Sequence, residues 1–86
     1  LLRNFKMIEI YGKPNCPFCD KAKALCVREG YTYKYHQLDT DFTREQLFEQ
    51  FPTARTFPQI KIDGEAIGGY TELEEWHNDG LEAYGE

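Results

Sequence analysis

The feature that most constrains this chain is the pair of cysteines in Cys16-Pro17-Phe18-Cys19. Two cysteines at this spacing are typical of a redox pair when they lie where a strand leads into a helix. The flanking residues predict such a junction, because Met7 to Tyr11 is apolar and rich in β-forming residues, and a helical pattern runs from Pro17 to Glu29. Pro17 suits the first helical position, where its missing N–H costs nothing, and Gly30 supplies a stop.

The position of each cysteine in this helix predicts its role. Cys16 would lie at the helix N-terminus, where unpaired backbone N–H groups and the positive end of the helix dipole point at its sulfur. These groups favour the thiolate, which is the nucleophilic form of cysteine. Cys19 lies one turn further along, close enough to form a disulfide with Cys16 and more sheltered from solvent. We therefore predict that Cys16 attacks the substrate and that Cys19 resolves the product.

Length and charge limit the kinds of partner. The 86 residues predict one small domain, and 41% of them are hydrophobic, which is enough for a packed core. The 10 basic and 15 acidic residues give a net charge of −5. Binding to nucleic acids and to anionic membrane surfaces requires a basic face, so this charge argues against both kinds of partner.

The number of cysteines indicates whether the protein works in a reducing or an oxidising compartment. The three cysteines are an odd number, whereas a secreted scaffold stapled by disulfides normally has an even number. The third one, Cys26, is expected to be a small buried hydrophobic residue; a regulatory thiol is the alternative. No signal peptide or membrane span is evident, so we expect a reducing, cytoplasmic compartment. Residues 1–6 are interpreted as a cloning remnant or a ragged N-terminus.

The middle of the chain predicts a strand and a short helix. Residues 31–36 alternate aromatic and polar side chains, which is typical of a half-exposed strand at a sheet edge. Thr43 to Gln46 is predicted to form a capping box that opens a helix. The expected buried stripe of this helix consists of Leu47, Phe48 and Phe51.

The C-terminal part predicts a hairpin and a final helix. Phe57 to Ile62 is the third predicted strand, Asp63-Gly64 is a hairpin turn, and Glu65 to Ile67 is the returning strand. Thr71 to Glu74 is predicted to form a second capping box, and Asp79-Gly80 is predicted to end the helix, with one last short turn in the acidic tail to Glu86 as the alternative. The element order β-α-β-α-β-β-α, with a parallel first crossover, predicts a four-stranded mixed sheet with helices on both faces.

Three segments resemble the motifs of the glutaredoxins, a family within the thioredoxin-like superfamily. Lys13 to Cys19 is similar to the family's dithiol motif, usually CPYC, with phenylalanine in place of tyrosine. Ala54 to Pro58 resembles its Arg-Thr-Val-Pro segment, and Ile67 to Leu73 resembles the Gly-Gly stretch that opens its last helix. The resemblance implies an α/β, thioredoxin-like fold in which a four-stranded mixed sheet is flanked by three or more helices. It also implies a glutaredoxin domain spanning residues 7–86.

The resemblance further implies that Pro58 follows a cis peptide bond. The backbone of Phe57 would then lie beside Cys16, where its N–H and C=O could pair with an extended peptide substrate. Glutathione is the peptide that the family uses. The alternative is a trans proline that opens an edge strand. Tyr11 and Tyr70 are expected to line the resulting groove.

The implied glutathione contacts fall into two groups. The γ-glutamyl end would dock at the start of the last helix, whose free N–H groups suit an anion. Lys13 and Arg55 would meet the glycyl carboxylate; the alternative is that both are solvated surface cations. Glu72 would repel the γ-glutamyl carboxylate and attract its ammonium group, or it is only an acid that suits a helix start. The remaining expected contacts are Phe18, Thr56, Phe57, Pro58, Gly69, Tyr70 and Thr71.

The function implied by the resemblance is that of a glutathione-dependent thiol–disulfide oxidoreductase. Glutathione would be a co-substrate, no metal is expected, and the chain would act as a monomer on glutathionylated or disulfide-bonded proteins, with ribonucleotide reductase as one candidate target. One alternative is a redoxin that thioredoxin reductase reduces. Another is an iron–sulfur carrier, in which Cys16 from two subunits and two glutathiones hold a cluster.

Overall fold

The computed structural model describes the backbone of residues 7–85 and the side chains of residues 7–79. The interpretation of residues 1–6 therefore concerns a segment outside the described residues. Over the described part of the chain, no helix is long and apolar enough to cross a membrane. The elements are β1 (Met7–Gly12), α1 (Pro17–Glu29), β2 (Thr32–Gln37), α2 (Arg44–Gln50), β3 (Gln59–Ile62), β4 (Glu65–Gly68) and α3 (Tyr70–Gly85).

The strands form one mixed sheet in the order β2-β1-β3-β4. β1 pairs with β2 in parallel, with Ile8 opposite Tyr33, and with β3 in antiparallel, with Ile8 opposite Ile62. β3 and β4 form an antiparallel hairpin. The predicted sheet and the predicted edge position of β2 are thus confirmed.

Helices cover both faces of the sheet, as predicted. Because side chains alternate along a strand, Ile8 and Ile10 of β1 face α1 and α3, whereas Tyr11 faces α2. The larger core, on the α1 and α3 face, consists of the buried residues Ile8, Ile10, Ala22, Leu25, Cys26, Ile60, Ile62 and Leu73. The smaller core on the opposite face consists of Tyr11, Leu38, Phe42, Leu47 and Phe51.

Local signals place the first two helices where they were predicted. α1 is followed by Gly30, whose φ of 76° is left-handed and whose N–H bonds to the last turn of the helix. The Thr43 side chain and Gln46 form the predicted capping box at the start of α2. The predicted buried stripe of α2 is wrong in one residue, because Phe48 is 48% exposed. Leu47 and Phe51, four positions apart, share the buried face of this short helix, and Phe48 is turned away from it.

The C-terminal part differs from the prediction at three boundaries. The turn at Asp63-Gly64 is confirmed, but β3 begins at Gln59, because the Phe57-Pro58 bond is cis and proline cannot donate to the ladder. The predicted capping box at Thr71 to Glu74 is wrong, since α3 already begins at Tyr70 and Gly69 caps it. The predicted end at Asp79-Gly80 is also wrong, because the backbone stays helical to Gly85. One glycine costs a helix only about 1 kcal/mol and removes no backbone hydrogen bond.

Candidate active site

Cys16 and Cys19 form a disulfide at the start of α1, with their Cα atoms 5.2 Å apart. Cys16 is the N-cap residue of the helix, in extended conformation, and its Sγ accepts a hydrogen bond of 3.2 Å from the backbone N–H of Cys19. Cys16 is 7% exposed, whereas Cys19 is completely buried. The N-terminal location, the N–H donor and the greater burial of Cys19 are all as the sequence predicts.

A groove of about 320 Å³ opens beside this pair. Phe18, which lies between the two cysteines in the sequence, and the first turn of α3 both line it, and the ring centroids of Phe18 and Tyr70 are 5.9 Å apart. The groove brings together all the residues that were expected to contact glutathione except Lys13 and Arg55. Its lining residues are Phe18, Thr56, Phe57, Pro58, Gly69, Tyr70, Thr71 and Glu72.

Two backbone features shape the middle of this groove. The cis bond at Phe57-Pro58 turns the chain just before β3, and Pro58 itself is buried. Gly69 approaches this turn so closely that a Cβ atom on it would lie 3.3 Å from the carbonyl oxygen of Pro58. A residue without a side chain therefore allows the N-terminus of α3 to lie against the cis-proline turn.

Cations lie over the aromatic rings that line the groove. Lys13 Nζ is 5.5 Å from the ring centroid of Phe57, and the Arg44 guanidinium is 5.8 Å from the same centroid. Lys21 Nζ is 4.9 Å from the ring centroid of Phe18. Among the described residues, none of these three cations pairs with an acidic side chain. The groove is therefore positive on the side of Phe18 and Phe57, whereas Glu72 gives it a negative charge at the start of α3.

Arg55 lies beside the groove and not in it. It lines a neighbouring cleft that shares Thr56 and Phe57 with the groove and also contains Arg44 and the exposed Phe48. Tyr11, which was expected to line the groove, instead packs in the smaller core, where its ring stacks on that of His36 at a centroid distance of 4.5 Å. The prediction for Tyr11 is wrong because its place in β1 directs it to the α2 face of the sheet.

The buried Cys26 and the partly buried Tyr35 have no direct role in the predicted mechanism. Burial raises the pKa of the Cys26 thiol to about 11, and its sulfur packs in the larger core, which confirms its prediction as a buried hydrophobic residue. Burial, together with the charge of Asp20, raises the pKa of the Tyr35 hydroxyl, which reaches Gly12 close to Cys19. The sequence analysis missed Tyr35; the available signal was Gly12 at the end of β1, because glycine in a strand often marks a close approach.

The described residues contain no group of three or more His, Cys, Asp or Glu side chains arranged to hold a metal ion. A thiolate at a helix N-terminus, with a second thiol one turn away, can exchange disulfides through a mixed disulfide.

Comparisons with known proteins agree with this site. The family model described as Glutaredoxin matches residues 8–67. Glutaredoxin 1 of Escherichia coli K12 is 33% identical over 81 residues, which cover 86% of this chain and 95% of that protein. The structure of glutaredoxin 1 from Francisella tularensis complexed with cacodylate has a TM-score of 0.74 at 27% identity, covering 90% of this chain and 98% of the other. A buckwheat glutaredoxin–glutathione complex has a TM-score of 0.73 at 30% identity, covering 85% of this chain and 69% of the other.

The family match covers more than half of the chain and contains the cysteine pair, the cis-proline turn and the strands that hold them. In the Francisella relative, the shared fold extends over nearly the whole length of that protein. This chain therefore belongs to the glutaredoxin family of thiol–disulfide oxidoreductases.

Proposed function

We propose that this glutaredoxin takes its electrons from glutathione and reduces both glutathione mixed disulfides and protein disulfides. The observation that carries the proposal is the groove lined by Phe18, the cis-proline turn and the first turn of α3, because Phe18 lies between the two cysteines in the sequence and so connects this groove to the cysteine pair. The buckwheat relative was solved as a glutathione complex, which supports glutathione as the occupant. A reducing, cytoplasmic compartment, where glutathione is reduced, is part of the proposal.

The groove offers complementary groups to both ends of glutathione. The free N–H groups of the first turn of α3, at Tyr70 and Thr71, suit the γ-glutamyl carboxylate. The backbone of Phe57, just before the cis bond, suits the peptide portion as a short added strand. Lys13 over the Phe57 ring suits the glycyl carboxylate, and Arg55 in the neighbouring cleft is the second candidate for that role.

In the proposed monothiol reaction, the Cys16 thiolate attacks the glutathionyl sulfur of a mixed disulfide. A new bond joins Cys16 Sγ to glutathione, and the target thiolate leaves with the electron pair of the broken bond. A second glutathione thiolate then attacks the glutathionyl sulfur on Cys16, which gives glutathione disulfide and restores the Cys16 thiolate. The N–H of Cys19 and the dipole of α1 stabilise that thiolate.

In the proposed dithiol reaction, Cys16 attacks one sulfur of a protein disulfide, and Cys19 then attacks Cys16 Sγ. The second step expels the target as a thiolate and leaves the Cys16–Cys19 disulfide, the state described here. Two glutathiones reduce that disulfide, and a flavoenzyme with NADPH regenerates them. Ribonucleotide reductase is one proposed protein target, and a monomer is the proposed active form.

The test is turnover of a small glutathione mixed disulfide, coupled to glutathione reductase and NADPH. We expect turnover that disappears in Cys16→Ser and persists in Cys19→Ser, while Cys19→Ser loses the reduction of protein disulfides. Turnover that survives Cys16→Ser would refute the role of Cys16. A folded protein that glutathione fails to reduce but thioredoxin reductase reduces would instead support the alternative redoxin. Visible absorbance after anaerobic purification, without activity towards either reductant, would support a cluster carrier.

A further inference from the structure

Gly12, at the end of β1, is the point where Tyr35 of β2 and Cys19 of α1 converge. A Cβ atom on Gly12 would overlap Tyr35 Oη and would lie 3.0 Å from Cys19 Sγ. The tyrosine hydroxyl and the cysteine sulfur thus share the space that the missing side chain leaves open. Cys19 is completely buried, so a polar group that contacts its sulfur has to come from the surrounding protein.

The sulfur of Cys19 needs a polar neighbour when the disulfide opens. In the disulfide form, no group among the described residues donates a hydrogen bond to Cys19 Sγ. The backbone N–H of Cys19 donates to Cys16 Sγ. On opening, the electron pair of the S–S bond remains on Cys19 as a thiolate, and a buried charge without a hydrogen bond is costly. The Tyr35 hydroxyl makes no hydrogen bond within the described part of the chain, so it is free to donate.

Burial, together with the negative charge of Asp20, keeps the Tyr35 hydroxyl protonated. Burial and the negative charge of Asp20 on α1 both raise the pKa of Tyr35 above the ordinary value of 10.0. Lys23, also on α1, lies with its Nζ 4.4 Å from the Tyr35 ring centroid and pairs with Asp20 at 3.9 Å. The hydroxyl is therefore a neutral donor at physiological pH.

We propose that Tyr35 Oη donates a hydrogen bond to Cys19 Sγ when the Cys16–Cys19 disulfide opens, and that this bond positions Cys19 and stabilises its thiolate. The inference rests on the roles proposed above for the two cysteines. The attacking glutathione thiolate bonds to Cys16 Sγ, the Cys16–Cys19 bond breaks, and its electron pair stays on Cys19. The proton of the hydrogen bond stays on Oη, and the Cys19 thiolate later takes a proton from water.

A hydrogen bond that stabilises the thiolate lowers the Cys19 pKa, and a lower pKa accelerates both directions of the dithiol reaction. A thiol of lower pKa leaves faster when glutathione opens the disulfide. In the resolving direction, the thiolate fraction below the pKa grows about tenfold for each unit by which the pKa falls. For each unit by which the pKa falls, the logarithm of the intrinsic nucleophilicity of the thiolate falls by only about half a unit. The rate at which Cys19 attacks the mixed disulfide therefore increases.

The direct test measures the Cys19 pKa without using activity. In a chain carrying Cys16→Ser and Cys26→Ala, Cys19 is the remaining thiol, and the chemical shift of its Cβ carbon can be followed by NMR across pH. We expect Tyr35→Phe to raise the Cys19 pKa by about one unit or more, since it removes a hydrogen bond to a charged group. Tyr33→Phe, which removes the hydroxyl two positions earlier on the same strand, is the matched control and should leave the Cys19 pKa unchanged. A Cys19 pKa that is the same with and without the Tyr35→Phe change would overturn the inference.

A kinetic test in the otherwise natural chain covers the case in which those variants fold poorly. Glutathione is mixed with the oxidised protein, the reaction is quenched, and disulfide opening is followed by mass spectrometry. We expect opening to be several-fold slower in Tyr35→Phe and unchanged in Tyr33→Phe. In a Cys19→Ser background, Tyr35→Phe should leave turnover of a small glutathione mixed disulfide unchanged, because the sulfur that Tyr35 would contact is gone.

Different results would refute the proposed role of Tyr35 and the proposed glutathione reaction. Slower turnover of the mixed disulfide when Tyr35→Phe is added to Cys19→Ser would show general damage to the site and would overturn this inference. Absence of turnover in the natural chain would refute the proposed glutathione reaction. The Cys19 pKa measurement would still decide the role of Tyr35 in that case, because it requires no substrate.

Discussion

Glu72 accepts, through Oε1, a hydrogen bond of 2.8 Å from the backbone N–H of Gly69, the residue that caps α3. Both residues line the groove beside the cysteine pair. The N-terminus of α3 thus carries a carboxylate of its own, which the free N–H groups and the helix dipole stabilise. Any glutathione bound there must place its γ-glutamyl carboxylate and its ammonium group next to this charge.

We expect Glu72→Gln to raise KM for a small glutathione mixed disulfide about two- to fivefold, the range of an exposed ion pair, with kcat unchanged. The amide keeps an acceptor for the N–H of Gly69 but loses the attraction for the γ-glutamyl ammonium. Steady-state kinetics coupled to glutathione reductase provide the measurement. Glu74→Gln, an exposed acid on the same helix outside the groove, is the control. A lower KM in Glu72→Gln would show that repulsion of the γ-glutamyl carboxylate is the larger effect.

Lys13 and Arg55 were both expected to meet the glycyl carboxylate, and the structure places them differently. Lys13 lies over the Phe57 ring at the groove, whereas Arg55 lines the neighbouring cleft. We therefore expect Lys13→Gln to raise KM for the glutathione mixed disulfide about two- to fivefold and Arg55→Gln to raise it by less than about twofold. Lys34→Gln on the edge strand β2 controls for the loss of one positive charge. A larger increase in KM for Arg55→Gln than for Lys13→Gln would indicate that the glycyl carboxylate binds in the neighbouring cleft, beside Arg55.

The sequence predicts the parts of this fold that are determined locally. The N-terminus of α1 follows from Cys16 and Pro17, its end from Gly30, and the hairpin from Asp63-Gly64, whose φ angles of 52° and 85° are both left-handed. The cis bond at Phe57-Pro58 followed from the family resemblance and not from local signals. Each of the locally determined features depends on neighbours within a few positions in the chain.

Other features depend on contacts between elements distant in sequence, which one sequence does not reveal. The start of α3 at Tyr70 is fixed because Gly69 lies against the cis-proline turn, and a capping pattern alone favoured a later start. The exposure of Phe48 depends on the orientation in which α2 packs against the sheet. The meeting of Tyr35 and Cys19 at Gly12 requires the pairing of β1 with β2 and the packing of α1 on both.

The crowding at Gly12 predicts a specific cost for adding a methyl group. In Gly12→Ala the new Cβ would overlap Tyr35 Oη and would lie 2.7 Å from Tyr35 Cζ. We expect the free energy of unfolding of the oxidised protein to fall by about 1–3 kcal/mol, as for overpacked sites, in a urea titration.

The same titration can show that Tyr35 is the cause. Adding Tyr35→Phe removes the closest atom but leaves Cζ in place, so it should recover part of the stability lost in Gly12→Ala. The two changes should therefore be non-additive by about 0.5 kcal/mol or more. Gly12→Ala combined with Tyr33→Phe should be additive, because the Tyr33 side chain is not among the nearest contacts of the added Cβ atom. Additivity with Tyr35→Phe as well would contradict the steric assignment.

The buried thiol of Cys26 predicts a loss of stability at alkaline pH. Burial raises its pKa to about 11 from the ordinary value of 9.0. Between these two values the unfolded chain has lost the proton while the folded chain still holds it, so rising pH favours unfolding. The contribution of Cys26 to stability is therefore fully present below about pH 9 and declines as pH rises towards about 11.

Comparison with Cys26→Ala isolates this contribution. Both chains are unfolded in urea, with a phosphine reductant that keeps every cysteine reduced, at a series of pH values. Tyr11 and Tyr35, whose pKa values burial also raises, titrate in both chains and cancel in the difference. We expect the stability advantage of the natural chain to be constant up to about pH 9 and then to shrink. An advantage that stays constant through this range would mean that Cys26 titrates as it does in the unfolded chain, which its complete burial in the larger core argues against.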